Sequence, residues 1–126
     1  IVRDEIHPVP ETYRLEYLHT NSGTGTIPTA TVKIRIGDKV KQLAACGDGP
    51  VDATYKAITS VVNTSAKLKQ YEIRATTSGT EAIGEVTVRL EENGLVVIGR
   101  GASTDIIEAS AKAYVDGLNR LAANKR

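Results

Sequence analysis

The 126-residue chain has no methionine, phenylalanine or tryptophan, and only one cysteine and two histidines. Each shortage removes a class of function. A single thiol, Cys46, cannot close an internal disulfide, which fits a reducing cytoplasm. It falls at the end of an expected strand with no histidine paired to it, so it reads as a buried space-filler. His7 and His19 lack a third group at the spacing of a triad or a metal site, which assigns both to the solvated surface. Five tyrosines are the whole aromatic complement and make no stacking platform for single-stranded nucleic acid. Basic and acidic residues nearly cancel, for a formal net charge of +1, and the basic ones are scattered. Neither nucleic acid nor an acidic surface is therefore an expected partner. No apolar run is long enough to span a membrane, and no signal-peptide pattern opens the chain. Without a methionine even at position 1, the chain is expected to be a piece of something longer or a processed product. Residues 1–12, with Pro8 and Pro10, read as a linker remnant from a preceding domain.

What remains is the composition of a soluble globular protein, 40% hydrophobic and 25% charged, of a size for one domain or two small halves sharing a core. Alternation predicts a strand over 13–18, with Tyr13, Leu15 and Tyr17 on one face and Arg14, Glu16 and Leu18 on the other. Residues 21–26 read as a turn-rich loop, followed by strands over 30–36 and 40–46 joined at Gly37-Asp38-Lys39. Val51, Tyr55, Ile58 and Val62 recur at helical spacing behind Pro50, which predicts a helix over 50–62. After a break at 63–66 the pattern returns. Strands are expected over 68–77, 84–90 and 95–98, with turns at Ser78-Gly79-Thr80 and Asn93-Gly94, and then a helix over 104–122. Thr31–Ile36 and Glu85–Leu90 match in pattern, and each block ends in Gly-x-Gly ahead of its helix, as an internal duplication would have it. The expected fold is α+β, two tandem βββα units packed together (13–64 and 67–122), each a three-stranded antiparallel sheet with one helix. Apolar residues around the helices, including Ile106, Ile107, Tyr114, Val115 and Leu118, predict a two-fold dimer.

The two Gly-x-Gly stretches, Gly47-Asp48-Gly49 and Gly99-Arg100-Gly101, read as glycine-lined helix starts. Free N–H groups and a positive dipole end suit a carboxylate there. Asp48 and Asp52 flank the first start, where a carboxylate either caps the helix or pairs the ammonium of a zwitterion. Thr104 or Ser103 is the expected N-cap of the second. Neither stretch is a dinucleotide fingerprint or a Walker loop, since the third glycine and the Gly-Lys-Ser/Thr are missing.

Gly47-Asp48-Gly49-Pro50-Val51-Asp52-Ala53 with Tyr55-Lys56-Ala57-Ile58, and Thr104-Asp105-Ile106-Ile107-Glu108-Ala109-Ser110 with Ala113-Tyr114 and Leu118-Asn119-Arg120, carry a resemblance. Over about 13–122 the chain closely resembles the C-terminal regulatory domain of 2-isopropylmalate synthases. The resemblance implies a βββα duplication, a homodimer and a cytoplasmic enzyme that condenses acetyl-CoA with 3-methyl-2-oxobutanoate. It also implies feedback inhibition by leucine bound to this domain where two chains meet. The family's catalytic machinery is a separate N-terminal TIM barrel with a divalent metal. This stretch supplies none of it, so it is expected to be non-catalytic and to hold no cofactor. Carried over by position, the leucine pocket falls on Gly47, Asp48, Gly49, Val51, Asp52, Leu68, Tyr71, Ala75, Ala82, Gly84 and Ile106. Small residues at Ala75, Ala82 and Gly84 would leave a hole about the size of an aliphatic side chain. Two other readings stand beside it: the isoleucine-binding regulatory domain of citramalate synthase, and a purely structural dimerisation module.

Overall fold

The computed structural model describes residues 9–78 and 81–124. Most of the linker stretch, His7, and the turn residues Gly79 and Thr80 lie outside the described residues. The elements run β1 (Tyr13–Gly23), β2 (Thr26–Ile36), β3 (Lys39–Cys46), α1 (Pro50–Val62), β4 (Lys67–Ser78), β5 (Glu81–Glu92), β6 (Leu95–Ser103) and α2 (Ile106–Ala123). They form two antiparallel three-stranded sheets, in the orders β1-β2-β3 and β4-β5-β6, each followed by one helix. The chain divides into two compact units, Tyr13–Thr64 and the part from Ser65 onward, with residues 9–12 grouped with the second. The expected α+β duplication is therefore present. Among the described residues no helix is long and apolar enough to cross a membrane.

In the first unit, Ala30, Val32 and Ile34 point from β2 into a core completed by Ala53, Ala57, Ile58 and Val61 of α1, all buried. The β1–β2 hairpin is tighter than the composition of 21–26 suggested. Both strands run through that stretch, and only Thr24-Gly25 turns, with Gly25 at φ +77°. A bulge also corrects the facing of β1. The register slips between Leu15 and Tyr17, so Glu16 is the extra residue and every later side chain changes face. Leu18 then pairs with Val32 on the helix side, whereas Tyr17 pairs with Lys33 on the open side, with the Lys33 ammonium 5.3 Å from its ring centroid. Cys46, expected to be buried, is exposed, because it pairs with Thr29 on the open face.

The second unit buries Val86, Val88 and Leu90 of β5 and Val97 of β6 beneath α2. Asn93 and Gly94 both take positive φ, at 53° and 83°, as a type I′ hairpin requires. The second Gly-x-Gly is not a turn. β6 continues through it to Ser103, and both glycines face α2 at close range. A Cβ on Gly99 would lie 2.2 Å from the Ala113 carbonyl oxygen and 2.5 Å from the Gly117 nitrogen. One on Gly101 would lie 2.4 Å from the Ala109 carbonyl oxygen. Asp116 ties the same contact from the helix side, accepting from the Arg100 backbone N–H at 3.0 Å and pairing with Arg120 at 3.2 Å.

α2 lies across β5 and β6 and, among the described residues, leaves β4 outside its backbone packing. Tyr114, Val115 and Leu118, expected at a dimer interface, are instead buried within the chain. The exposed large apolar side chains of this unit are on β4: Leu68 at 42% and Ile73 at 50%.

Candidate functional site

Gly47, Asp48, Gly49, Val51 and Asp52 sit together at the start of α1. Gly47 donates its N–H to the Pro28 carbonyl at 3.1 Å. A Cβ there would meet the Ala53 nitrogen at 2.5 Å and the Asp52 carboxylate at 2.6 Å, so close approach, not positive φ, demands this glycine. Gly49 is the N-cap, with extended backbone at φ −163° and no side-chain cap bond, and Pro50 takes the first turn. Nothing stands within 4 Å of where a Cβ of Gly49 would be. The start of α1 thus has no capping side chain, though there is room at Gly49 for one.

Asp52, one turn in, reaches back: its carboxylate accepts the Asp48 N–H at 2.9 Å and pairs with Lys56 at 3.2 Å. This resembles the second half of a capping box, with the donor N–H moved one residue upstream, from Gly49 to Asp48. The Asp48 N–H, then Lys56, hold its carboxyl below the ordinary value of 3.8. A lowered folded-state pKa adds stability above that ordinary value and loses it as pH falls through the folded-state value. Asp52→Ala should therefore cost about 1 kcal/mol near neutral pH, kept small by the 42% exposure of the carboxylate. The gap between wild type and variant should close below pH 3.8 in parallel thermal melts. A gap that held constant into acid would assign the effect to something other than the carboxylate.

α2 begins differently. Asp105, not Thr104 or Ser103, is its N-cap, accepting the Ile107 N–H at 2.9 Å. Ser103 accepts the Asp105 N–H at 3.1 Å and donates to Glu108. With carboxylates at the cap and in the first turn, this start is closed to an anion. Both helices carry a carboxylate in the first turn, Asp52 in α1 and Glu108 in α2, and they differ in that α2 also has a side-chain cap.

In the second unit the strand register assembles the remaining candidates. Ala75 stands opposite Gly84, Ile73 opposite Val86, Tyr71 opposite Val88 and, past a bulge between Leu68 and Gln70, Leu68 opposite Leu90. These β4 side chains share the face that β5 turns to α2. Ile106 fills the space over Gly84, since its Cδ1 would lie 2.1 Å from a Cβ there. The hole expected from the small residues is thus partly plugged by the chain's own isoleucine. One turn on, the buried Ser110 hydroxyl meets the Tyr71 hydroxyl at 2.6 Å. Tyr71, Ile73 and Ala75 thus form a row on one face of β4, with the first turns of α2 alongside at Ile106 and Ser110. Ala82, exposed and opposite Thr77, extends the row beyond Gly84, and Leu68 closes the other end. Among the described residues no group of three His, Cys, Asp or Glu side chains could hold a metal ion.

Comparison of sequences gives the kinship of this fold. The profile of the LeuA allosteric (dimerisation) domain matches residues 1–122. The chain belongs to that family. A 2-isopropylmalate synthase from Heliobacterium modesticaldum is 52% identical over 121 residues, covering 96% of this chain and 24% of that protein. One from Carboxydothermus hydrogenoformans is 54% identical over 123 residues, and one from Nitrosomonas europaea 49% over 121, each again 24% of its own length. The chain spans about a quarter of the length of these curated relatives.

Within this LeuA allosteric domain, two residues beside the candidate site escaped the sequence. Ile73 shares the alternation of Tyr71 and Ala75, a signal that was present but was carried by no motif. Ser110 was visible only as a serine among alanines, and its partner lies 39 residues away in the sequence. A depression of about 780 Å³ lies mainly on the opposite face of the LeuA-type second sheet, among Glu72, Arg74, Glu85, Thr87 and Arg100. It includes none of the expected effector residues, and its charged walls do not suit an aliphatic side chain.

Proposed function

We propose that this chain is the leucine-sensing regulatory domain of a 2-isopropylmalate synthase and self-associates two-fold through the uncovered face of β4. The observation that carries the reading is the exposed apolar row on β4 beside α2, in a domain whose family is described as allosteric and dimerising. The side chain of leucine fits such a surface. Its carboxylate needs N–H donors and its ammonium needs an acceptor, because either charge left unmet out of water is costly. Taken by itself, the first unit has groups of both kinds at the start of α1: N–H groups of the first turn and the exposed Asp48 carboxylate. Asp52 is committed to Asp48 and Lys56, so its contribution is to shape the turn. On this reading the condensation of acetyl-CoA with 3-methyl-2-oxobutanoate belongs to a preceding catalytic barrel with its divalent metal, in the cytoplasm, and this domain reports leucine to it.

Calorimetry of the chain with leucine, isoleucine and valine tests the proposal. Leucine should bind with the largest heat and the tightest affinity. Binding of isoleucine but not leucine would transfer the reading to citramalate synthase. No heat from any of the three would leave a dimerisation module without an effector.

A further inference from the structure

Ser110 lies on α2 with Ala109, Ala111 and Ala113 around it, and its side chain is fully buried. Alanine is the better helix former and nearly the same size, so packing gives no reason for serine here. A buried hydroxyl is tolerated because it is hydrogen-bonded, and this one meets the phenolic hydroxyl of Tyr71 at 2.6 Å. Tyr71 stands on β4, the strand that α2 does not pack over, beside the exposed Ile73. Ser110 and Ile106 are one helical turn apart, so they project from the same stripe of α2. Ile106 covers Gly84 and Ser110 holds the far tip of the ring.

We propose that Ser110 is a positioning residue for the effector: its hydroxyl fixes the Tyr71 ring within the apolar row of β4, so that the seat for the aliphatic side chain exists before ligand arrives. The inference rests on the leucine-sensing reading above. A side chain held in place lowers the ordering cost of binding, which shows as affinity.

Ser110→Ala and Tyr71→Phe each remove one end of the bond and leave the ring and the helix intact. Each should weaken leucine about three- to tenfold in calorimetry, as loss of one neutral hydrogen bond does, and the double variant should lose no more than either alone. Melting temperatures without leucine should stay within a few degrees of wild type. Unchanged leucine affinity in both single variants overturns the proposal, including the case where only their melting temperature falls, which would make the bond a structural tie. Losses that add in the double variant overturn it too, because the hydroxyls would then act separately. Failure of the wild-type chain to bind leucine is a different result: it removes the leucine-sensing reading itself, and the role of Ser110 with it.

Discussion

Gly99→Ala should destabilise the second unit by about 3 kcal/mol, the upper part of the range for overpacking a core. The added methyl has no side-chain tip to push aside. It would stand 2.2 Å from the Ala113 carbonyl oxygen and 2.5 Å from the Gly117 nitrogen, both backbone atoms of α2. Relief requires α2 to lift from β6, which loosens the packing of Leu118 and Leu121, now 2% exposed each, and stretches the bond from Arg100 to Asp116. In thermal unfolding, a loss of this size should lower the midpoint by roughly 12–20 °C, scaling from a small domain. Gly101→Ala should behave alike, since its methyl would meet the Ala109 carbonyl oxygen at 2.4 Å. A Gly99→Ala midpoint within two or three degrees of wild type would mean that strand and helix can separate there cheaply.

Ile73→Asp should turn the dimer into a monomer with little effect on the fold. Half of the Ile73 side chain is exposed on β4, so the substitution removes little from the core of its own unit. In a two-fold interface the same residue counts twice. Each chain would lose about 1 kcal/mol of apolar burial, and each carboxylate would add the larger cost of losing water without a partner. Together these should weaken self-association on the order of a thousandfold or more. Sedimentation at micromolar concentration should show wild-type dimers and variant monomers, with matching far-ultraviolet circular dichroism. A variant that remains dimeric would place the interface elsewhere, and a monomeric wild type would remove the dimer proposal.

Local chemistry made much of this domain readable. Pro50 and the apolar spacing behind it place α1 at Pro50–Val62, and Asn93-Gly94 marks a turn whose left-handed backbone those residues favour. The failures have one cause in common, which is that they depend on what lies opposite. Whether Tyr17 or Leu18 faces inward depends on a bulge at Glu16, set by pairing with β2. Gly99-Arg100-Gly101 looks like Gly47-Asp48-Gly49 in sequence. Yet the first pair opens space for a helix to approach a strand, and in the second pair only Gly47 is held by close contact. Glycine spacing records a need for room and not what fills it. Leu68, Tyr71 and Ala75 were legible as an apolar face, but their exposure follows from α2 lying over β5 and β6.

The strand orders have a kinetic consequence. In both sheets every strand pairs with its neighbour in the chain, and three of the hairpins, at Thr24-Gly25, Gly37-Asp38 and Asn93-Gly94, close over two residues. No pairing waits for a distant segment, so the closure entropy for each sheet is small and the zipping of hairpins can begin at either turn of a unit. Each helix follows its own sheet directly in the chain, so its packing too joins neighbouring segments. During synthesis β1, β2 and β3 can be paired before Ser65 is made, with α1 the last piece of that unit to arrive.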